Sequence, residues 1–315
     1  MAPPYTGPPR NHNRKLPARI GILTAYPREA FESTMKVIEQ QGHIADVIEW
    51  KRVIPSLVDQ SFAFEYDGRL KVGGLEDYDL LFNHFCGFRL SYYYFAFKAV
   101  CTTPIVNDWE GVVIASDKLK TLITARASGI RIPDTLLLNN TDFEIGITQA
   151  EKRLSYPMIM KEVTSDNGEK VYLVNSRKDA WRRWNESDRH DLFLLQEFVE
   201  GEHLRVVVLG DRVLYSVRNL IAPDEFRANA RYNLGVERFP LLVTEQQQMV
   251  DVAKGIGLDY VGLDVVRNDG GLWLMEANAK PGTHCDMQLL AEDGMDLYRE
   301  IGLFLLDRAI SEIGL

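Results

Sequence analysis

The first third of the chain alternates short apolar runs with amphipathic stretches. Arg19–Thr24 (RIGILT), His43–Glu49, Tyr78–Asn83 (YDLLFN) and Thr103–Val106 (TPIV) have the length and apolar character of buried strands. Between them Arg28–Gln41 carries helical spacing, with Gly42 placed to close it. Ser91–Val100 reads as an aromatic-rich helix. Strands that alternate with helices predict a parallel sheet. Residues 17–110 therefore read as a small Rossmann-like α/β domain.

The pattern then changes to α+β. Ser116–Ala127 is a predicted helix with Ser116 as its N-cap, Ile132–Leu138 a strand and Asp142–Arg153 a helix. Met158–Lys161 and Lys170–Val174 form a hairpin over the polar turn Ser165–Glu169, and a helix follows around Lys178–Trp184. These make one lobe, residues 111–188. Residues 189–315 make another, mostly antiparallel. Its strands are Phe193–Phe198, Leu204–Leu209 and Arg212–Arg218, the last two joined at Gly210-Asp211. Ala222–Phe239 is polar with little periodicity. Thr244–Ile256 is a helix whose Thr-Glu-Gln-Gln start resembles a capping box. Tyr260–Arg267 and Leu272–Asn278 form a last hairpin, and Met295–Ile313 a final helix.

Composition narrows the partners. With 36 Lys+Arg against 45 Asp+Glu the chain carries −9 at pH 7, which argues against a nucleic-acid partner and against attraction to an acidic membrane. Within that total, residues 1–19 hold five of the 13 prolines, four basic residues and no acid. Residues 1–16 read as a disordered tail. No run of 18 uncharged apolar residues occurs, no signal-peptide core opens the chain, and the three cysteines (Cys86, Cys101, Cys285) form no CxxC. A cytoplasmic protein fits these features.

The chemistry concentrates late in the chain. In the last hairpin, Glu276 and Asn278 are two apart on a strand and share a face. If its loop is residues 269–271, Asp264 sits opposite Glu276 on that face; a two-residue loop would pair Asp264 with Met275 and break the site. Two carboxylates and an amide oxygen suit Mg²⁺ with nucleotide phosphates. Alone, the same residues also read as the polar face of an edge hairpin. Lys118 opens a helix, and Lys161 ends an apolar strand beside a Gly-bearing turn, where a lysine can reach phosphate as a point charge. Leu194–Gly201 is an apolar strand that stops at an acidic bend, whose backbone can read an adenine edge. His84 and Arg89 lie at the expected C-terminal edge of the first sheet, where substrates meet such sheets.

In this order, the segments resemble the ATP-grasp superfamily, most closely RimK-type ligases with glutathione synthetases nearby. The matching runs are Ala115-Ser-Asp117-Lys118, Ile130-Arg-Ile-Pro133-Asp-Thr135, Tyr156-Pro157-Met-Ile-Met-Lys161, Gln196-Glu197-Phe198-Val199, Phe226-Arg227-Ala-Asn229, Gly262-Leu-Asp264 and Met275-Glu276-Ala-Asn278 with Pro281-Gly282. The resemblance covers about residues 105–285. It implies an ATP-grasp fold behind the Rossmann-like domain, and a ligase that joins a carboxylate to an amine through an acyl phosphate, releasing ADP and phosphate.

Carried residue by residue, it implies that Lys118 and Lys161 hold the α- and β-phosphates. Gln196, Glu197, Phe198, Val199 and Met275 surround the base, with His203 at the ribose position. Asp264, Glu276 and Asn278 would hold two Mg²⁺ ions, with Mn²⁺ as a substitute. Arg205 and Arg227 would neutralise the transferring phosphoryl group and the acyl intermediate, and the turn Thr164–Glu169 would close over the triphosphate. Substrates would be amino acids or small peptides, and the assembly a homodimer or homotetramer. Two other readings keep the fold: a kinase acting on a hydroxylated molecule, and a non-catalytic nucleotide binder. The chain departs from the RimK pattern at His203, at Arg218-Asn219, at Ala230-Arg231-Tyr-Asn-Leu234-Gly235 and at Lys280. These departures predict altered substrate recognition around retained ATP machinery.

Overall fold

A computed structural model describes residues 17–49, 53–58, 61–66, 69–72, 75, 77–84, 101–138, 142–165, 168–188, 191–222, 225–227, 233–283 and 286–314. Contacts divide the chain into two compact units. The first joins residues 1–113, 257–260 and 290–315; the second joins 114–256 and 261–289.

The first unit is built on a four-stranded sheet of β1 (Arg19–Thr24), β2 (Ile44–Glu49), β6 (Leu80–His84) and β7 (Ile105–Val106), in the order β2-β1-β6-β7 and parallel throughout. The run RIGILT has no alternation because its strand is covered on both faces: Ile20, Ile22 and Leu23 are fully buried. Helix α1 (Glu32–Gln40) starts later than the spacing predicts, since Arg28–Phe31 winds as a 3₁₀ turn. It ends as predicted at Gly42, with φ +83° and the paired bonds Gly42 N→Glu39 O and His43 N→Ile38 O of a Schellman stop.

Several features of this unit differ from expectation. An antiparallel sheet of β3 (Val53–Val58), β4 (Ser61–Tyr66) and β5 (Arg69–Val72) stands where no strand was predicted. The signal was period-two alternation, as in Ser61-Phe-Ala-Phe-Glu-Tyr66. The strand expected over Thr103–Val106 shrinks to two residues, since Pro104 has no N–H to donate to a ladder. His84 is not open to a substrate. It is 3% exposed, among the rings of Tyr26, Phe31, Phe82 and Tyr260. The expected helix Ser91–Val100 and Arg89 lie outside the described residues.

The second unit contains two antiparallel sheets. Helix α2 (Trp109–Ala115), which was not anticipated, leads from the first unit to α3 (Lys118–Ala125). The cap of α3 is Asp117, not Ser116: the Asp117 carboxylate accepts Lys120 N at 3.0 Å. The smaller sheet has the order β10-β9-β11-β8, from β8 (Thr135–Leu138), β9 (Met158–Glu162), β10 (Val171–Val174) and β11 (Phe193–Glu197). Strand β8 begins three residues late because Arg131 instead bridges to Trp273, and Pro133 follows. Helices α4 (Phe143–Glu151) and α5 (Arg177–Asn185), capped by Asp142 and Ser176, accompany this sheet. Phe143, Ile147, Met158, Met160, Val174 and Phe193 belong to its core.

The larger sheet has the order β14-β13-β12-β15-β16, from β12 (Glu202–Leu209), β13 (Arg212–Ile221), β14 (Asn233–Arg238), β15 (Tyr260–Asn268) and β16 (Gly271–Asn278). Strand β14 lies within the stretch read as aperiodic. The first turn of α6 (Val243–Ile256) carries only half of the expected capping box. Glu245 reaches back to Leu242 N at 2.9 Å, and Thr244 is inside the helix. Helix α7 (Met287–Glu292) follows β16, and α8 (Leu297–Glu312), capped by Asp296, returns to the first unit.

Candidate functional site

The hairpin of β15 and β16 turns on two residues, Asp269 and Gly270, since Asn268 pairs with Gly271. Asn268 secures the turn by accepting Gly270 N (2.9 Å) and Trp273 Nε1 (3.1 Å). A regular two-residue hairpin would set Asp264 opposite Met275. Instead Val265 pairs with Leu274 and Asp264 pairs with Glu276, so Met275 is the extra residue of a β-bulge. The expected loop was one residue too long, yet the bulge restores the register that brings the two carboxylates together. It also turns the Met275 carbonyl toward Lys161, whose Nζ lies 3.3 Å away.

Asp264 and Asn278 are bonded to each other, Asn278 Nδ2 donating to Asp264 Oδ2 at 3.0 Å. Asp264 is gripped further by Arg205 of β12. Arg205 Nε donates to Oδ1 at 2.7 Å and Nη2 to Oδ2 at 3.0 Å, while Nη1 donates to Gly282 O at 3.0 Å. Burial works against the Arg205 charge, but Asp264 outweighs it and holds the guanidinium above its ordinary value. Burial pushes the Glu276 carboxyl above the usual carboxylate range, helped by Asp264 and opposed by Lys118, Lys161 and Arg205.

The two lysines arrive from separate elements. Lys118 is the first residue of α3 and Lys161 the fourth of β9, and both are buried. Lys118 Nζ donates to Ser165 O in the turn after β9. Burial brings Lys161 down to about 8, with Lys118 adding to the shift and Glu276 resisting it. The turn is tied back by Glu162, which accepts Thr164 N and Oγ1 at 3.0 and 2.9 Å. Residues 166 and 167 of the predicted closing turn lie outside the described residues.

Between β11 and β12 the chain bends at Phe198–Gly201. Gln196 Nε2 donates to Thr135 Oγ1 at 2.8 Å, and Glu197 accepts Asp134 N at 3.3 Å. Both side chains are thus engaged with the neighbouring strand. What residues 197–199 offer a planar ligand is main chain, with Phe198 and Val199 as apolar cover. The bend needs Gly201: a Cβ there would lie 2.3 Å from Arg267 O.

These residues line one cavity. Lys118, Lys161, the stretch Gln196–Val199, His203, Arg227, Asp264, Met275 and Glu276 all line it; Arg205 and Asn278 stand behind Asp264. Burial lowers the His203 imidazole, against the pull of Asp264. Arg227 is paired with Glu225, through Nε at 2.9 Å and Nη2 at 2.8 Å; that pairing holds Glu225 down to about 2. Sequence reasoning missed Glu225, along with the walls Ile159, Val171, Leu204 and Val266; Asn219, singled out as a departure from the RimK pattern, also lines the cavity. Their only sequence signal was strand periodicity, which marks a face without saying what the face covers.

The RimK-like ATP-grasp domain family matches residues 115–300. The chain belongs to the RimK-like ATP-grasp family. It is 28% identical over 258 residues, 78% of this chain and 84% of the other, to a protein of Histophilus somni (strain 2336) named "Probable alpha-L-glutamate ligase". Its structure is similar to that of a RimK domain ATP-grasp protein from Sphaerobacter thermophilus DSM 20745. The TM-score is 0.67 at 18% identity, over 92% of this chain and 100% of that one. It is also similar to the ATP-grasp ligase PsnB in complex with a minimal precursor, Mg and ADP. There the TM-score is 0.64 at 18% identity, over 94% and 98% of the two chains. At these identities the structural likeness shows the fold: ATP-grasp, with a parallel sheet of four strands in the first unit.

ATP-grasp ligases use ATP and Mg²⁺, and the donor chemistry of this RimK-like chain fits the ion. Magnesium takes oxygen ligands and leaves several positions to phosphate and water. Asp264, Glu276 and Asn278 supply oxygens on one sheet face. Among the described residues no three His, Cys, Asp or Glu gather into a metal-binding group. Among the described residues, too, no helix is long and apolar enough to cross a membrane.

Proposed function

We propose that this protein is an ATP-dependent ligase that joins a carboxylate to an amine through an acyl phosphate. The observation that carries the reading is the convergence of two buried lysines, an acidic hairpin face and an apolar hinge on one cavity of a RimK-like ATP-grasp chain. A carboxylate oxygen attacks the terminal phosphorus of ATP, the bond to the bridging oxygen breaks, and ADP leaves. The amine then attacks the acyl carbon. Phosphate leaves with the C–O electron pair, and the nitrogen loses a proton to give the amide. Phosphoryl transfer of this kind depends on positioning and charge neutralisation.

The side chains take these roles. Lys118 and Lys161 hold the α- and β-phosphates, and the main chain of Glu197–Val199, backed by Gln196, meets the adenine edge. Phe198 and Met275 cover the base, and His203 stands at the ribose. Arg205 and Arg227 exchange their carboxylate partners Asp264 and Glu225 for the transferring phosphoryl group and the acyl intermediate. Magnesium, as two ions on Asp264, Glu276 and Asn278 with manganese as a substitute, supplies charge neutralisation on the phosphates when bound. Residues 17–110, 111–188 and 189–315 act as the three lobes of the catalytic unit.

The substrates are amino acids or small peptides. The name carried by the Histophilus somni relative makes glutamate the first amine to test. A net charge of −9 supports a small-molecule acceptor over nucleic acid or an acidic membrane, in the cytoplasm. The homodimer or homotetramer rests on the family resemblance alone.

The test is an amino-acid by amino-acid screen for ADP release, glutamate first, on the full chain with Mg²⁺ and ATP. ADP should appear only when both a carboxylate and an amine are present, and mass spectrometry should find their amide. ADP released with a hydroxylated compound alone would replace ligation by phosphoryl transfer. No turnover across the panel would count against an enzyme.

A further inference from the structure

The run Ile130-Arg-Ile-Pro133-Asp-Thr135 matches the family, yet none of its side chains has a part in the chemistry above. Thr135 opens β8 directly opposite Gln196 of β11, and Gln196 pairs with Ile159 of β9 on its other side. Residues paired in this way share a face of the sheet. Gln196 and Ile159 line the cavity, and Gln196 is only 2% exposed.

Hydrogen bonding settles which way the Gln196 amide points. Thr135 Oγ1 donates its single proton to Pro133 O at 2.7 Å. Toward Gln196 it can then only accept, and it accepts Nε2 at 2.8 Å. The flipped amide would set Oε1 against the lone pairs of Thr135, or pull the hydroxyl away from Pro133 O. Oε1 is therefore turned from β8. Among the described residues no donor reaches Oε1, and the atom remains open to the cavity. A nearly buried acceptor without a protein donor calls for one from a ligand.

We propose that Thr135 is a positioning residue that sets nucleobase choice, by holding Gln196 Oε1 out as an acceptor for the 6-amino group of adenine. Guanine and hypoxanthine carry an oxygen at that position. Two acceptors would then meet with no proton between them, and the Gln196 oxygen would stay unpaired. Thr135 acts through Gln196 and touches no nucleotide itself. The inference rests on the reading of the cavity as an ATP site.

The experiment measures ADP and inosine diphosphate affinity by calorimetry on the full chain with Mg²⁺. The two nucleotides differ at the edge that bears the 6-amino group. Wild type should bind ADP well ahead of inosine diphosphate. No ADP binding would remove the nucleotide reading itself, whereas equal affinity for the two would remove this inference alone. Thr135→Val keeps the shape of the side chain and lets the amide flip, so that Nε2 can meet the inosine oxygen. The ratio of the two affinities should fall about tenfold, the scale of one hydrogen bond made or lost at a buried group. Thr135→Ser keeps the hydroxyl and should keep the wild-type ratio. A wild-type ratio in Thr135→Val would overturn the proposal, even if both affinities fell in parallel, as general damage to the hinge would cause. A ratio lost equally in Thr135→Ser would also overturn it, assigning the effect to packing. If Thr135→Val does not fold, Thr135→Ala carries the same comparison.

Discussion

At Asp264 three donors meet on two oxygens, and at Glu225 the guanidinium of Arg227 meets two more. Each arginine of the proposed site is thus matched by an internal carboxylate. The lysines are treated differently: Lys118 and Lys161 donate to main-chain oxygens of Ser165 and Met275. Lys161 is brought by burial to about 8. It is charged below pH 8 and attracts phosphate; above pH 8 it loses that charge. ADP affinity should fall as pH rises through 8, and binding at pH 8.5 should take up protons. Calorimetry in two buffers of different ionisation heat reads this directly, and flat affinity from pH 7 to 9.5 would dismiss it. For folding the sign is reversed. The unfolded lysine holds its proton up to its ordinary value of 10.5, so Lys161 makes stability rise with pH between about 8 and 10.5. Glu276→Ala removes a carboxylate from the proposed metal face. It should lower Mg²⁺-dependent ADP formation at least ~100-fold, the scale of losing one charge-stabilising group at a reacting centre.

At the scale of elements, the bulge at Met275 is what joins the hairpin to the site. The idea that Asp264, Glu276 and Asn278 share a face was legible. The bulge was not, because a bulge leaves no residue signature and Met275 is a plain apolar residue. The strands around the cavity were legible for the opposite reason: each is a short apolar run ended by a Gly-bearing or acidic turn. Strands β3–β5 escaped although Ser61–Tyr66 and Arg69–Val72 alternate cleanly, and β14 escaped because Asn233–Arg238 offers only Leu234 and Val236 as apolar positions. The bend at Gly201 is the most demanding local feature. Gly201→Ala would drive a Cβ to 2.3 Å from Arg267 O and 2.8 Å from Val266 Cγ1. It should cost about 2 kcal/mol of stability, and ADP affinity should drop with it, since the hinge lies beside the clash. Urea denaturation and an ADP titration on the same variant check both; an unchanged midpoint would contradict the steric argument.

Across the whole molecule, chain order and spatial order part company. The last helix, α8, belongs to the first unit and packs on α1. Gly302 marks the contact, where a Cβ would lie 2.4 Å from Val37 Cγ1 and 2.9 Å from Thr34 O, and Thr34 Oγ1 donates to Tyr298 O at 2.7 Å. Asn107 makes a similar long-range join, exchanging two 2.8 Å bonds with the main chain of Tyr260. Gly302→Val should therefore destabilise the first unit by about 1–3 kcal/mol, while ADP affinity, set by residues of the second, stays at the wild-type value. Differential scanning calorimetry with an ADP titration separates the two, and a parallel fall in affinity would show that the helix contact matters for the nucleotide cavity.

The sequence by itself determined the fold class, the family and the identity of the charged groups, because periodicity and motif spacing are local properties of a chain. It also showed that a charge of −9 leaves room for a cationic proposed site, since Lys118, Lys161, Arg205 and Arg227 could be read one by one. The tertiary structure decided what those groups touch. It set the register at Asp264 through a bulge, paired each arginine with its own carboxylate, and buried His84 among aromatic rings. The grip of Arg205 on Asp264 and the stacking of His84 on Tyr260 depend on packing between segments far apart in the chain, whereas Arg227 and Glu225 are near neighbours. No local pattern encodes the distance between two such segments, so only the folded chain could supply it.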